Sequence, residues 1–212
     1  MLKGIEVLTH SSIRISKGKV IYIDPFNVDK EYNDADIILI THSHYDHYSD
    51  KDINKVKKED TIFIVPEDVK EKLLNRNVLN DNIIAVHPER NNKVNILGLN
   101  IEVIPAYNIN KKFHLKESGW VGYIITINNI RYYIAGDTDI TEENKNIKCD
   151  VALVPVGGIY TMTYVEAAKL VNIIKPKIAI PIHYGNIVGT IEDASKFIKL
   201  LDKDIKGTIL IK

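Results

Sequence analysis

The sequence predicts an α/β fold in which helices cover β-sheets, and two observations carry that reading. Short apolar runs rich in β-branched residues recur along the whole chain, and stretches with helical spacing and caps alternate with them. At 212 residues, 45% hydrophobic and 26% charged, the chain is long enough to bury such sheets in one domain spanning residues 1–212.

Taken in order, Ile5 to Leu8, Val20 to Ile23, Ile37 to Ile40 and Thr61 to Val65 read as strands. Their near-continuous apolar character fits strands buried on both faces. Asp50 to Lys58 follows a Ser-Asp cap and reads as a helix, as does Pro66 to Leu74. Strands then follow at Ile101 to Ile104, Tyr123 to Ile127 and Arg131 to Ile134. The second half repeats this grammar: strands at Val151 to Pro155, Ile178 to Pro181 and Thr208 to Ile211 are separated by helices at Thr163 to Ile174 and Ile191 to Leu201. No low-complexity tract, Gly/Ser linker or short repeat interrupts them. The longest irregular stretch, Tyr107 to Gly119, has the length of a functional loop.

Charge narrows the function classes. Lysine plus arginine and aspartate plus glutamate both total 28, so no global field steers a polyanion, and nucleic acid is not an expected partner. The single cysteine, Cys149, cannot form an intrachain disulfide, which fits a reducing compartment. No apolar run reaches the roughly 18 to 20 residues of a membrane span, and the opening MLKGIEVLTH lacks a signal-peptide core. A soluble cytoplasmic protein without a membrane partner is the expectation.

The most informative segment is THSHYDHYSD, where the strand ending at Ile40 runs into His42, His44, Asp46 and His47. In extended chain His42 and His44 share a side, so both imidazoles can meet one ion, and a turn toward the helix near Asp50 swings Asp46 and His47 to a second point nearby. Imidazole and carboxylate without thiolate suit zinc, manganese or ferrous iron in an open, catalytic site rather than a closed structural one. Two later strand exits add candidates: Asp137 in AGDTD, after Tyr132 to Ala135, and His183 in PIHYG, after Ile178 to Ile182.

HSHYDH after a strand matches the HxHxDH signature of the metallo-β-lactamase superfamily, and AGDTD and PIHYG resemble its later metal motifs in the expected order. The resemblance implies a four-layer αββα sandwich of two mixed β-sheets over nearly the whole chain. The start VLTHSSIRI and the segment PVGGIYTM are similar to the compact branch that contains the L-ascorbate-6-phosphate lactonase-like proteins. By that resemblance one divalent ion is held by His42, His44 and a third histidine, the other by Asp46, His47 and His183, with Asp137 bridging. Zinc is the first expectation and manganese or ferrous iron the alternatives. Asp46 is also the candidate catalytic carboxylate, and a hydroxide generated between two cations is the implied nucleophile.

The sequence departs from the common pattern at the third histidine, because PAYN stands after Ile101 to Ile104 where many relatives carry one. His114, further along the loop, is the substitute candidate. His10, at the first strand's exit, is a candidate for contact with substrate or support of a ligand, and Tyr184 for donating a hydrogen bond to a substrate oxygen or filling a pocket wall. Asp139 reads as a turn or cap, His87 as a polar-turn residue and Cys149 as a packed thiol. Gly157 and Gly158 either admit backbone amides to an anion or simply form a turn.

The leading reading is a metal-dependent hydrolase acting on a small ester, lactone, amide or phosphoester, with a small and anionic metabolite favoured by the lactonase-like resemblance. The alternatives are a phosphodiesterase or nuclease, for which Lys111, Lys112 and Lys116 would supply phosphate contacts, and a metal-binding protein without turnover. Tyr45, Tyr48, Tyr107 and Tyr160 are read as exposed aromatics lining a pocket or an interface, which leaves a homo-oligomer open.

Overall fold

The computed structural model describes residues 1–211 and contains two mixed sheets. The first is formed by β1 (Ile5–Thr9), β2 (Ser12–Lys17), β3 (Lys19–Ile23), β4 (Ala35–Leu39), β5 (Lys57–Pro66) and β6 (Ile83–Val86), in that spatial order. β1 to β3 form an antiparallel meander, and β3 to β6 run parallel. Helix α1 (Asp50–Val56) joins β4 to β5, and α2 (Glu67–Leu74) follows β5.

The second sheet repeats the plan. β7 (Lys93–Ile96), β8 (Leu99–Pro105), β9 (Val121–Ile127) and β10 (Ile130–Ile134) are antiparallel, and β10, β11 (Val151–Pro155), β12 (Ile178–Ile182) and β13 (Lys206–Gly207) are parallel. Helix α3 (Tyr164–Ile174) connects β11 to β12, and α4 (Ile191–Lys199) connects β12 to β13. A Thr163–Glu166 capping box starts α3.

Alternation along each strand builds the layers. In β4, Ile37 and Leu39 face the core between the sheets, while Ile38 and the following Ile40 face α1 and α2. In β11, Val151 and Leu153 join the inner core, whereas Ala152 and Val154 pack beneath α3 and α4. These two-faced strands explain the continuous apolar runs, since each side chain has a buried layer to enter. The order of layers is helix, sheet, sheet, helix.

Several elements differ from the sequence-based reading. The first helix stops at Val56, and Lys57 is already extended as the start of β5. Thr208 to Ile211 is not a strand: β13 is confined to Lys206–Gly207, and Leu210 and Ile211 instead lie against the inner core. β2, β6 and β7 were not anticipated. β2 carries Arg14, Ser16 and Lys17, and β6 and β7 have only four residues each, so their apolar signal is thin.

The two sheets are tied together where β4, β9 and β12 approach one another. The buried Tyr123 hydroxyl lies 2.8 Å from the Ile40 carbonyl and 3.0 Å from that of Ile64, the Val121 amide donates to Thr41 O at 3.1 Å, and the His183 amide donates to His10 O at 2.9 Å. This seam positions the site.

Candidate metal centre

Four strand exits supply the centre. After β4, the His47 and Tyr48 amides both donate to His44 O, at 3.0 and 2.8 Å, and this turn brings Asp46 and His47 back beside His42. Gly136, after β10, has φ +65°, and a Cβ there would stand 2.8 Å from Val121 O, so glycine lets Asp137 reach the seam. His183 after β12 and His10 after β1 take left-handed backbone, φ 59° and 48°, and the His183 amide donates a hydrogen bond to the His10 carbonyl.

Two donor sets result. His42, His44 and His114 form one, and His10, Asp46, His47 and His183 form the other, the donor atoms in each lying within 4.8 Å of one another. Asp137 stands between the sets: Oδ2 is 3.2 Å from His114 Nε2 and 3.1 Å from His183 Nε2, and Oδ1 is 3.3 Å from His47 Nε2. The separation of His42 Nε2 and His44 Nδ1 is 3.2 Å. Two imidazole nitrogens on one tetrahedral zinc stand about 3.3 Å apart, given bonds of about 2.0 to 2.1 Å.

The groups behind the histidines select the tautomers. Asp24 Oδ2 lies 2.7 Å from His47 Nδ1, and Asn108 Oδ1 lies 3.0 Å from His114 Nδ1. Both acceptors place the proton on Nδ1 and leave the Nε2 lone pair facing the centre. Thr41 Oγ1 donates to Asp24 at 2.6 Å and can therefore accept from His42 Nδ1 at 3.0 Å, so Asp24 also orients His42 through the threonine. Asp46 can only accept, so His10 Nε2, 3.2 Å away, carries the proton.

Electrostatics agrees with a cation site. Burial disfavours the Asp46 carboxylate, but the hydrogen bond from His10 and the nearby His183 imidazole hold its pKa below the usual range. Asp137 is likewise buried, yet the charges of His183 and His47 keep it well below that range. Burial pushes His42 and His44 down, which frees their lone pairs. Against burial, Asp137 and Asp24 raise His47 well above its ordinary value, and Asp137 raises His183. Four buried donor atoms at the centre, His47 Nε2, His114 Nε2, His183 Nε2 and Asp137 Oδ1, have no hydrogen-bond partner among the described residues. Each such atom costs about 1 to 3 kcal/mol if left unmatched, and their grouping around Asp137 fits divalent cations.

The centre lies at the base of a cavity of about 310 Å³, lined by His44, Asp46, His114, Asp137 and His183 and by Tyr45, Phe113, Tyr160 and Ile187. His42, His44, Asp46, His47, His114, Asp137 and His183 are thus brought together, and His10 packs its ring 4.0 Å from that of His183. Tyr184 is placed differently: it is buried in the core beneath α3 and α4, away from the cavity lining. Tyr48 and Tyr107 are buried rather than exposed, because each packs inward and donates its hydroxyl, to Asp50 and Glu143 respectively. Gly158 uses its amide within a turn to Met162 O, and Gly157 is small because a Cβ would meet the His183 carbonyl at 2.3 Å. Asp139 pins the His114 loop by accepting from the Ile109 amide at 3.0 Å and pairing with Lys111.

Three site residues escaped the sequence reading. Asp24 had a partial signal, since it directly follows β3 as Asp137 follows β10, although its pairing with His47 did not show. Asn108 and Trp120 had none in local spacing. The Trp120 ring lies 4.9, 4.7 and 5.6 Å from those of His42, His44 and His114, and its indole donates to Asp68 at 3.0 Å.

Known proteins resemble this chain in sequence and fold. A family model described as a beta-lactamase superfamily domain matches residues 4–183. A UPF0173 metal-dependent hydrolase of Thermococcus onnurineus is 29% identical over 97% of this chain and 95% of its own, and one of Nanoarchaeum equitans is 31% identical over 85% and 83%. A crystal structure from Parabacteroides distasonis, provisionally named a metal-dependent hydrolase, superposes with a TM-score of 0.81 at 33% identity, covering 98% of this chain and 93% of that one. Two mixed sheets between helices, a His/Asp cluster at their seam and these relatives together lead to one assignment: the chain belongs to the metallo-β-lactamase superfamily and is a metal-dependent hydrolase.

Proposed function

We propose that the protein hydrolyses a small ester, lactone, amide or phosphoester at a dinuclear centre. In this reading His42, His44 and His114 hold one divalent cation, Asp46, His47 and His183 hold the other, and Asp137 bridges, with zinc expected before manganese or ferrous iron. The observation that carries it is Asp137, a buried carboxylate within 3.3 Å of histidines from both donor sets. When bound, two such cations make hydroxide available at neutral pH and polarise the electrophile.

The chain's own residues do the rest. Asp24, Thr41 and Asn108 fix the imidazole tautomers, and His10 holds Asp46 with its carboxylate turned toward His47 and His183. The lactone option is supported by the likeness of VLTHSSIRI and PVGGIYTM to the lactonase-like branch.

Metal analysis of protein purified without added metal, combined with assays on p-nitrophenyl acetate, dihydrocoumarin and bis(p-nitrophenyl) phosphate, tests the reading. About two equivalents of metal are expected, with turnover lost on chelation, restored by zinc and reduced more than about a hundredfold in Asp137→Ala. Metal-free protein that refuses both zinc and manganese would overturn it.

A further inference from the structure

The cavity wall divides cleanly by chemistry. Every polar non-tyrosine residue that lines it belongs to the metal set, and the rest of the lining is Tyr45, Phe113, Tyr160 and Ile187. Among the described residues no lysine or arginine lines it. Of the three loop lysines that would serve an anion, Lys111 pairs with Asp139 and donates to Thr161 O at 2.8 Å, Lys116 lies 2.8 Å from Glu143, and Lys112 is exposed outside the lining. Lys72, near the HxHxDH turn, donates to Ser43 O at 2.8 Å.

From this wall we infer that the substrate carries an uncharged apolar group, aromatic or aliphatic, beside its scissile bond. The inference rests on the dinuclear hydrolase reading, which assigns the reacting oxygens to the cations and leaves the remainder of the substrate to the wall. A second carboxylate or phosphate there would lose its hydration with no cationic partner to replace it. An apolar group instead meets Phe113 and Tyr160, whose rings pack edge to face with centroids 4.6 Å apart and of which Phe113 is 47% exposed. Tyr45 also lines the cavity at 67% exposure, its ring 6.2 Å from that of Phe26. The volume of about 310 Å³ lies at the low end for ligand pockets, which sets the scale at one ring or a short chain plus the reacting group.

Phe113 and Tyr160 are therefore specificity-determining residues, and they share a support with the metal set. Asn108, which holds His114, donates its side-chain amide to Tyr160 O at 3.0 Å. One side chain thus joins the wall to the metal set.

Calorimetric titration of zinc-loaded protein with three hydroxamates separates this inference from the reading beneath it. Acetohydroxamate presents the bare chelating group, phenylacetohydroxamate adds a ring, and succinic monohydroxamate adds a carboxylate. The ring should tighten binding about tenfold over acetohydroxamate through apolar burial, and the carboxylate should not tighten it. In Phe113→Ala the phenylacetohydroxamate-to-acetohydroxamate affinity ratio should fall toward one, and in Phe113→Lys the carboxylate compound should gain. If acetohydroxamate binds but the ring adds nothing, or the carboxylate adds as much, the apolar substrate class is wrong and the metal reading survives. If acetohydroxamate does not bind at all, the metal reading fails and the inference with it.

Discussion

The two donor sets differ in what stands behind their histidines. In the inner set, His47 is backed at 2.7 Å by the carboxylate of Asp24, and Asp46, His47, His183 and His10 are all buried. In the outer set, His114 is backed at 3.0 Å by the neutral amide of Asn108, His42 by the Thr41 hydroxyl, and His44 is half-buried. A carboxylate raises the basicity of an imidazole ligand more than an amide does, and burial strengthens the effect. Under the proposed dinuclear reading, the inner set is therefore expected to be the tighter cation site and the outer one, beside the aromatic wall, the more exchangeable.

Removing the carboxylate should erase most of this difference. Asp24→Ala is expected to weaken the inner site about 10- to 100-fold in chelator competition. It also strands the Thr41 amide and hydroxyl and His47 Nδ1, so thermal unfolding of the metal-free variant should shift downward as well. If the outer site weakened instead, the two sets would have been ranked in the wrong order.

Acid should act on the two sets unequally. Asp137 and Asp24 raise His47 well above its ordinary pKa, so the metal-free protein holds a proton there at neutral pH that a cation must displace. Inner-site affinity should then rise with pH by about tenfold per unit for each proton displaced. His42 and His44 are pushed down and already neutral, so neither should add pH dependence to the outer site between pH 6.5 and 8. Parallel pH slopes from competition titrations would contradict the asymmetry.

Asn108→Ala should cost less than Asp24→Ala. It removes a neutral hydrogen bond worth about 0.5 to 1.5 kcal/mol, so outer-site affinity should fall about two- to tenfold with the inner site preserved. Smallest of all is Cys149, distant from both sets in the packing beneath α3. Burial pushes its thiol up to about 12, so alkylation by iodoacetamide at pH 8 should be slow, and Cys149→Ser should leave turnover nearly unchanged. Rapid labelling with loss of activity would give the thiol a role that its surroundings do not.

Legibility in the sequence followed the distance over which each feature is specified. Ile37 to Ile40 could be read as a strand because layers on both sides demand apolar residues at every position. The HxHxDH turn is equally local, its donors falling within six residues. Asp24 acts on His47 across 23 residues, and Trp120 meets Asp68 across 52, so neither role can be seen before the chain folds. His114 was reached only as a substitute for a histidine missing after β8. Its placement depends on the Asn108 and Asp139 anchors of its loop. The tail from Thr208 misled because Leu210 and Ile211 are apolar to cover the end of the inner core rather than to pair in a sheet.

The most direct test is a stepwise zinc titration against a competing chelator, run on wild type, His114→Ala and His183→Ala. Two resolved equivalents are expected in wild type. The tight one should survive in His114→Ala and be the one weakened in His183→Ala. A single equivalent in wild type, or loss of the tight equivalent in His114→Ala with retention in His183→Ala, would contradict a dinuclear centre anchored on its inner set.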